Sequence, residues 1–299
     1  MLRTIIRGDQ AALLRAVIAD PDDDLPRLVY ADWLDEHGQD ERAEFIRLHV
    51  GRSVQVTAAE DFQALKGSSE YRDRMERIQL LRWAHGRRWA AEIAPGFLRE
   101  RSGPPPWFER GFIEEASLPA RAYLRELDRI YANTPLRKVR LTHPDDRPPV
   151  DLQPLAAHPG FGSVEDLEVT GPVSPDGFAA LAASPHAGRV RRVEIRGRTV
   201  SAAWVGTALA GPWASVVRSL SLDNNEAGDD GAVALANTPR VGGVLSLSLG
   251  GNQITDRRAR ALAASPHLGS CEFLWMGGNR STREGEGLLR ERFGGRVST

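Results

Sequence analysis

From about residue 107 onward, the chain alternates between two patterns. Short stretches with apolar residues at every second position, such as Leu245, Leu247 and Leu249, read as strands with one buried face. Between them lie Ala-rich segments of helix formers that stop at a proline, at Pro135, Pro159, Pro185, Pro212, Pro239 and Pro266. These prolines are spaced by 24, 26, 27, 27 and 27 residues. The second apolar position of each strand (Leu141, Val169, Ile195, Leu222, Leu249, Met276) is spaced by 28, 26, 27, 27 and 27. Two independent marks with one period predict an α/β solenoid of about six repeats of ~27 residues, because one unit cannot bury its apolar face alone.

The unit is clearest over residues 229–252. Asp229-Asp-Gly leads into Ala-Val-Ala-Leu-Ala-Asn, a helix that ends before Thr238-Pro239, and Leu245-Ser-Leu-Ser-Leu then alternates as a strand. Gly250-Gly-Asn252 turns the chain. Asn225, Asn252 and Asn279 recur every 27 residues, as expected of a stacked amide that pairs with loop backbone otherwise buried and unsatisfied.

Leu220-Ser-Leu-Asp-Asn-Asn225 and Leu247-Ser-Leu-Gly-Gly-Asn252 fit an L-x-L-x-x-N core, and over roughly residues 107–299 the chain resembles leucine-rich repeats of the ribonuclease-inhibitor-like class. Earlier units depart from the pattern, with Arg198 and Pro172 at the asparagine position. The resemblance implies a horseshoe whose strand-lined concave surface is presented to partners, and it leaves the function open.

Residues 9–50 read as three short helices. Asp9 is the expected N-cap of a segment carrying Leu13, Leu14, Val17 and Ile18 on one face and stopped at Asp20-Pro21. Asp24 is expected to cap the next helix, with Leu28, Val29, Trp33 and Leu34 inward and Gly38 as its stop. The third places Phe45, Ile46 and His49 near one face. Thr57-Ala-Ala-Glu60 is a capping box for a fourth helix, and a fifth spans about residues 71–89. Ser102-Gly-Pro-Pro-Pro106 is the clearest break. The run from Asp20 through Ala31-Asp-Trp-Leu-Asp-Glu-His-Gly38, with Arg42-Ala-Glu-Phe-Ile-Arg-Leu48, resembles a bacterial repeat-companion domain, a module found N-terminal to repeat arrays and without an assigned activity. The expected organisation is an all-α module at 1–52, a helical connector and cap at 53–106, and the repeat array at 107–299.

Composition narrows the function. With 39 basic and 40 acidic residues, the net charge of −1 gives no global pull toward nucleic acid or an anionic membrane. Cys271 is the only cysteine, which excludes a disulfide framework and a multi-cysteine metal site. No apolar run reaches the roughly 18 residues of a membrane span, and the N-terminus does not read as a secretory signal, so a cytoplasmic setting is expected. The acidic run Asp20, Asp22, Asp23 and Asp24 lacks calcium-loop spacing and reads as capping and solvated charge. The seven histidines show no zinc spacing. Ser184 and Ser265 fall in repeat turns beside His186 and His267, outside any nucleophile motif. No metal, cofactor or catalytic set is expected.

The expected function is therefore non-enzymatic binding of a protein or peptide on the concave strand face. The side chains that alternate with the buried ones would form the contact surface: Arg140 on the first strand, Glu168 on the second, and Arg192, Glu194 and Arg196 on the third. Ser221, Asp223 and Ser248 follow, and Phe273 with Trp275 ends the series as aromatic anchors. An alternative is nucleic-acid binding through the Arg-rich segment 72–101, where Arg72, Arg74, Arg77, Arg82, Arg87, Arg88, Arg99 and Arg101 are interleaved with Asp73, Glu76, Glu92 and Glu100.

Overall fold

A computed structural model describes residues 2–53, 68–98, 107–197, 201, 204–206 and 211–298. The capping box at 57–60, the break at 102–106, and Arg99, Arg101 and Arg198 lie outside these residues. The chain separates into two compact units, Met1–Ala116 with Glu126–Arg137, and Ser117–Arg125 with Lys138–Thr299. Among the described residues, no helix is long and apolar enough to cross a membrane.

The first unit is helical: α1 (Leu2–Ala19), α2 (Leu25–Glu36), α3 (Asp40–Ser53) and α4 (Ser69–Ile93) are followed, after the start of strand β1 (Glu115–Pro119) and the short α5 (Ala120–Arg125), by α6 (Leu127–Asn133). Its core gathers Leu14, Val17, Tyr30, Ala31, Leu34, Ala43, Ile46, Val50 and Phe112. Helix α2 ends in a Schellman arrangement. Gly38, at φ +68, donates its N–H to the Asp35 carbonyl, and the Gln39 N–H reaches the Leu34 carbonyl.

Three local expectations need correction. Asp9 lies inside α1, which begins at Leu2 and continues through Gly8, so it is not the N-cap. Asp24 makes no side-chain cap bond. Asp23 instead accepts the Leu25 N–H at 2.9 Å, while the Asp24 carboxylate is drawn to Arg110, whose Nε donates to it at 3.0 Å. Val29 is exposed, and Arg27 and Tyr30 take the inward positions. The acidic run is also more than solvated charge. Arg137 Nη1 donates to Asp22 at 2.7 Å, and the Pro21 carbonyl accepts from both Arg27 and Arg110.

The second unit carries most of a parallel, eight-stranded α/β sheet in sequential order: β1, β2 (Lys138–Thr142), β3 (Asp166–Thr170), β4 (Arg192–Arg196), β5 (Ser219–Ser221), β6 (Ser246–Ser248), β7 (Phe273–Trp275) and β8 (Val297–Ser298). The register runs Lys138, Asp166, Arg192, Ser219, Ser246, Phe273, so partners from β2 to β7 are separated by 28, 26, 27, 27 and 27 residues. Between strands lie α7 (Gln153–Ala157), α8 (Pro175–Ala183), α9 (Gly228–Ala236), α10 (Asp256–Ala263) and α11 (Arg283–Phe293).

Residues of the strands, or directly after them, form a buried column, with Leu141, Val169, Ile195, Leu222, Leu249 and Met276 all at or below 3% exposure. Helix residues Leu155, Phe178, Leu181, Leu235, Leu262 and Leu289 are buried too. Each such side chain contributes about 1.5–3 kcal/mol. Leu245 breaks the expected alternation. The strand begins only at Ser246, so Leu245 is exposed while its carbonyl accepts the N–H groups of Glu272 and Phe273.

Turn amides tie the stack together. Asn225 Nδ2 donates to the Ile195 carbonyl at 2.7 Å, Asn252 Nδ2 to the Leu222 carbonyl at 2.7 Å, and Asn279 Nδ2 to the Leu249 carbonyl at 2.8 Å. Each reaches thirty residues back. Ser184 and Ser265 perform a related task, donating at 2.6 Å to the Ala156 and Ala236 carbonyls and accepting from the His186 and His267 N–H groups.

Candidate binding face of the sheet

The parallel register brings the predicted site residues of the second unit onto one sheet face. Because side chains alternate across a strand, burying the apolar set leaves the other set in rows that cross the strands. One row runs Arg140, Glu168, Glu194, Ser221, Ser248, Trp275, and its neighbour runs Lys138, Asp166, Arg192, Ser219, Ser246, Phe273.

The face has three zones. Over β2 to β4, Arg140 Nε lies 3.1 Å from Glu168, and Arg192 lies 3.3 Å from Glu194 and 3.9 Å from Asp166. Arg196 approaches Glu194 from its other side. The charges are layered. The side chains of Arg140, Arg192 and Arg196 are 45–56% exposed, whereas those of Asp166, Glu168 and Glu194 are 29%, 26% and 6% exposed. Solvent therefore meets guanidinium, with carboxylate beneath. Burial pushes the Asp166 carboxyl above its usual range, opposed by Arg192, Arg140 and Lys138.

Over β5 and β6 the face is small and internally satisfied. The Asp223 carboxylate accepts from Ser248 Oγ at 2.7 and 2.8 Å, from Ser221 Oγ at 3.3 Å and from the Gly250 N–H at 2.6 Å. Both serine hydroxyls are thus turned toward Asp223.

Over β7, Phe273 is 46% and Trp275 36% exposed. The C-terminal helix does not cover them, because β8 continues the sheet beyond β7 and α11 buries Leu289 and Phe293 instead. The Trp275 indole lies across Gly250 and Gly277. A methyl group at either glycine would overlap the ring. This seat was not legible in the sequence, where the glycine pairs read as turn residues alone.

No protein-family model matches the chain, and no curated protein matches it.

Two further polar clusters occur in the first unit. Arg42 is buried among aromatic rings, its guanidinium 4.7 Å from the Trp89 centroid, 5.2 Å from Phe108, 5.5 Å from Phe112 and 5.7 Å from Phe45. Burial lowers its pKa to about 10, and its Nη1 has no hydrogen-bond partner among the described residues. Arg27 is fully buried and donates to Glu114 at 2.7 Å. Both arginines are buried, and the Arg27 guanidinium also donates to the Pro21 and Arg110 carbonyls at 2.7 and 3.1 Å.

In the Arg-rich segment, several guanidiniums are committed to carboxylates. Arg77 pairs bidentately with Glu44 of α3 at 2.8 and 2.7 Å, while Arg74 lies 3.6 Å from Glu70 and Arg88 lies 3.8 Å from Glu92. Among the described residues, no group of three or more His, Cys, Asp or Glu side chains is placed to hold a metal ion.

Proposed function

We propose that this chain is a cytoplasmic, non-enzymatic interaction protein without a cofactor, whose C-terminal part is a leucine-rich-repeat solenoid preceded by a helical repeat-companion module. Its strand-lined face takes an extended segment of a partner protein. The observation that carries this reading is the exposure of Phe273 and Trp275 side by side on one strand, at the end of a row of aligned polar side chains. Exposed aromatics rimmed by polar groups are the usual anchors of protein interfaces. The in-register rows support it further, since they offer a continuous track across the strands instead of an enclosed pocket.

The test is a peptide-display selection against the wild type, with the Phe273→Ser, Trp275→Ser double variant as the comparison. Ligands retained by the wild type and lost by a variant with unchanged circular dichroism and melting temperature are the expected result. Ligands indifferent to the double substitution would overturn the reading. RNA or DNA binding that falls steeply with salt and disappears in Arg87→Ala, Arg88→Ala would replace it with the nucleic-acid alternative.

A further inference from the structure

The three zones of the sheet face specify the chemistry of what binds there, provided the binding reading above holds. At the β4 end, Glu194 is buried between Arg192 and Arg196, and both guanidiniums converge on it. A guanidinium carries five N–H donors, so one or two bonds to Glu194 leave the others directed at solvent. Because these guanidiniums are about half exposed and the carboxylates below are largely covered, an approaching chain meets donors and positive charge. An acidic group gains there what a basic one would lose.

The middle zone offers no such choice. Ser221 and Ser248 are turned toward Asp223, leaving a shallow polar saddle that a peptide backbone crosses without a bulky side chain in its way. At the far end, Phe273 and Trp275 offer apolar area. Burying it requires an aromatic or branched aliphatic side chain on the partner.

Arg192 and Phe273 occupy one register row, three strands apart. At about 4.8 Å per strand this is ~14 Å, which an extended chain covers in about four residues. We infer that the partner segment carries a carboxylate and a large apolar side chain about four residues apart, the carboxylate over Arg192 and Arg196 and the apolar group over Phe273 and Trp275. Glu194 acts as a positioning residue that holds the two guanidiniums in place.

The test uses labelled synthetic peptides read by fluorescence anisotropy on the full chain. Each carries paired glutamates and a leucine with a spacer, counted in chain positions from the nearer glutamate to the leucine, of about two, four or seven, and a parallel set has lysine in place of glutamate. The spacer of about four is expected to bind at least ~10-fold more tightly than the shortest one and than its lysine analogue. Arg192→Ala, Arg196→Ala should remove most of that preference, weakening the glutamate peptides and strengthening the lysine ones. Glu194→Gln frees both guanidiniums from the carboxylate that holds them, so it should broaden the spacer preference of the glutamate peptide, an effect that a purely structural role would not produce in a variant of unchanged melting temperature.

Equal binding of glutamate and lysine peptides, or no dependence on spacing, overturns the inference. If no peptide of the panel binds while display ligands are still lost with Phe273 and Trp275, the inference fails and the binding face stands. If display ligands are also indifferent to Phe273 and Trp275, both fail.

Discussion

The Asp256 carboxylate accepts two hydrogen bonds from one residue, Thr282: the backbone N–H at 2.6 Å and the side-chain hydroxyl at 2.7 Å. Asp256 opens α10 and Thr282 is the N-cap of α11, so the contact locks the start of one helix to the start of the next. Asp229 and Thr255 repeat the arrangement one unit earlier, with bonds of 2.8 Å to the N–H and 2.9 Å to the hydroxyl.

These bonds hold the Asp256 carboxyl below its usual range, the Thr282 hydroxyl being the largest cause. A depressed carboxyl contributes stability that is present above its unfolded pKa and is lost as the pH falls through the folded one. Local opening of α10 and α11, measured by hydrogen exchange, is therefore expected to rise below about pH 4 in the wild type. In Asp256→Asn that part of the pH dependence should be absent; an unchanged profile would show that the contact does not form. Thr282→Ala should cost about 0.5–2 kcal/mol as the loss of an N-cap.

Asn252 is fully buried. Its Nδ2 donates to the Leu222 and Gly250 carbonyls at 2.7 and 3.1 Å, and its Oδ1 accepts from the Ala227 N–H at 3.3 Å. Alanine leaves the Ala227 N–H enclosed without a partner, while the Leu222 carbonyl keeps Asn225 Nδ2 at 2.9 Å and the Gly250 carbonyl keeps the Asn224 N–H at 2.8 Å. The expected loss is about 1–3 kcal/mol, read by urea unfolding. Asn279→Ala should cost less, because that side chain is only half-buried. A loss below about 1 kcal/mol at Asn252 would mean that water reaches the turn.

In the helical unit, burial lowers the Arg27 pKa and raises that of Glu114, each mutual attraction being a smaller effect than desolvation. Both ions are thus held at a cost, and removing one strands the other. Glu114→Ala is expected to lose about 3–5 kcal/mol, whereas Arg27→Met with Glu114→Leu should be neutral or more stable. A double-mutant cycle measures the difference. A double variant as unstable as the single one would show that the pair itself supplies net stability.

How much of this was legible depended on the sequence distance over which a signal is carried. The strand alternation and the 27-residue period are local, and they place Arg140, Glu168, Arg192 and Trp275 on one face. The Asn225, Asn252 and Asn279 ladder was visible for the same reason. The Asp256–Thr282 contact was not. Its partners are 26 residues apart, and each residue alone reads as an ordinary helix-start group. Arg42 was missed because arginine on a short helix reads as surface, and nothing local announces four aromatic rings closing around it. Hydroxyl direction at Ser221 and Ser248 depends on Asp223 and is likewise set by neighbours in space.

The seat of Trp275 offers a way to disturb the proposed interface without touching an anchor. Gly277 has no left-handed backbone conformation, so alanine there carries no backbone strain, but its methyl group would overlap the indole and push it off the sheet. Gly277→Ala should therefore keep overall stability within about 1 kcal/mol, the methyl group's restriction of the unfolded chain offsetting part of the lost contact. The ring should become more accessible to acrylamide. Since the chain has 7 tryptophans, that change is read as the difference between the variant with and without Trp275→Phe. Ligands dependent on Phe273 and Trp275 should bind more weakly to Gly277→Ala, by about 10-fold if the ring must be flat against the glycines to meet them. Unchanged quenching would show that the indole is not seated on Gly277. Altered quenching with unchanged binding would place the partner's anchor on Phe273 alone.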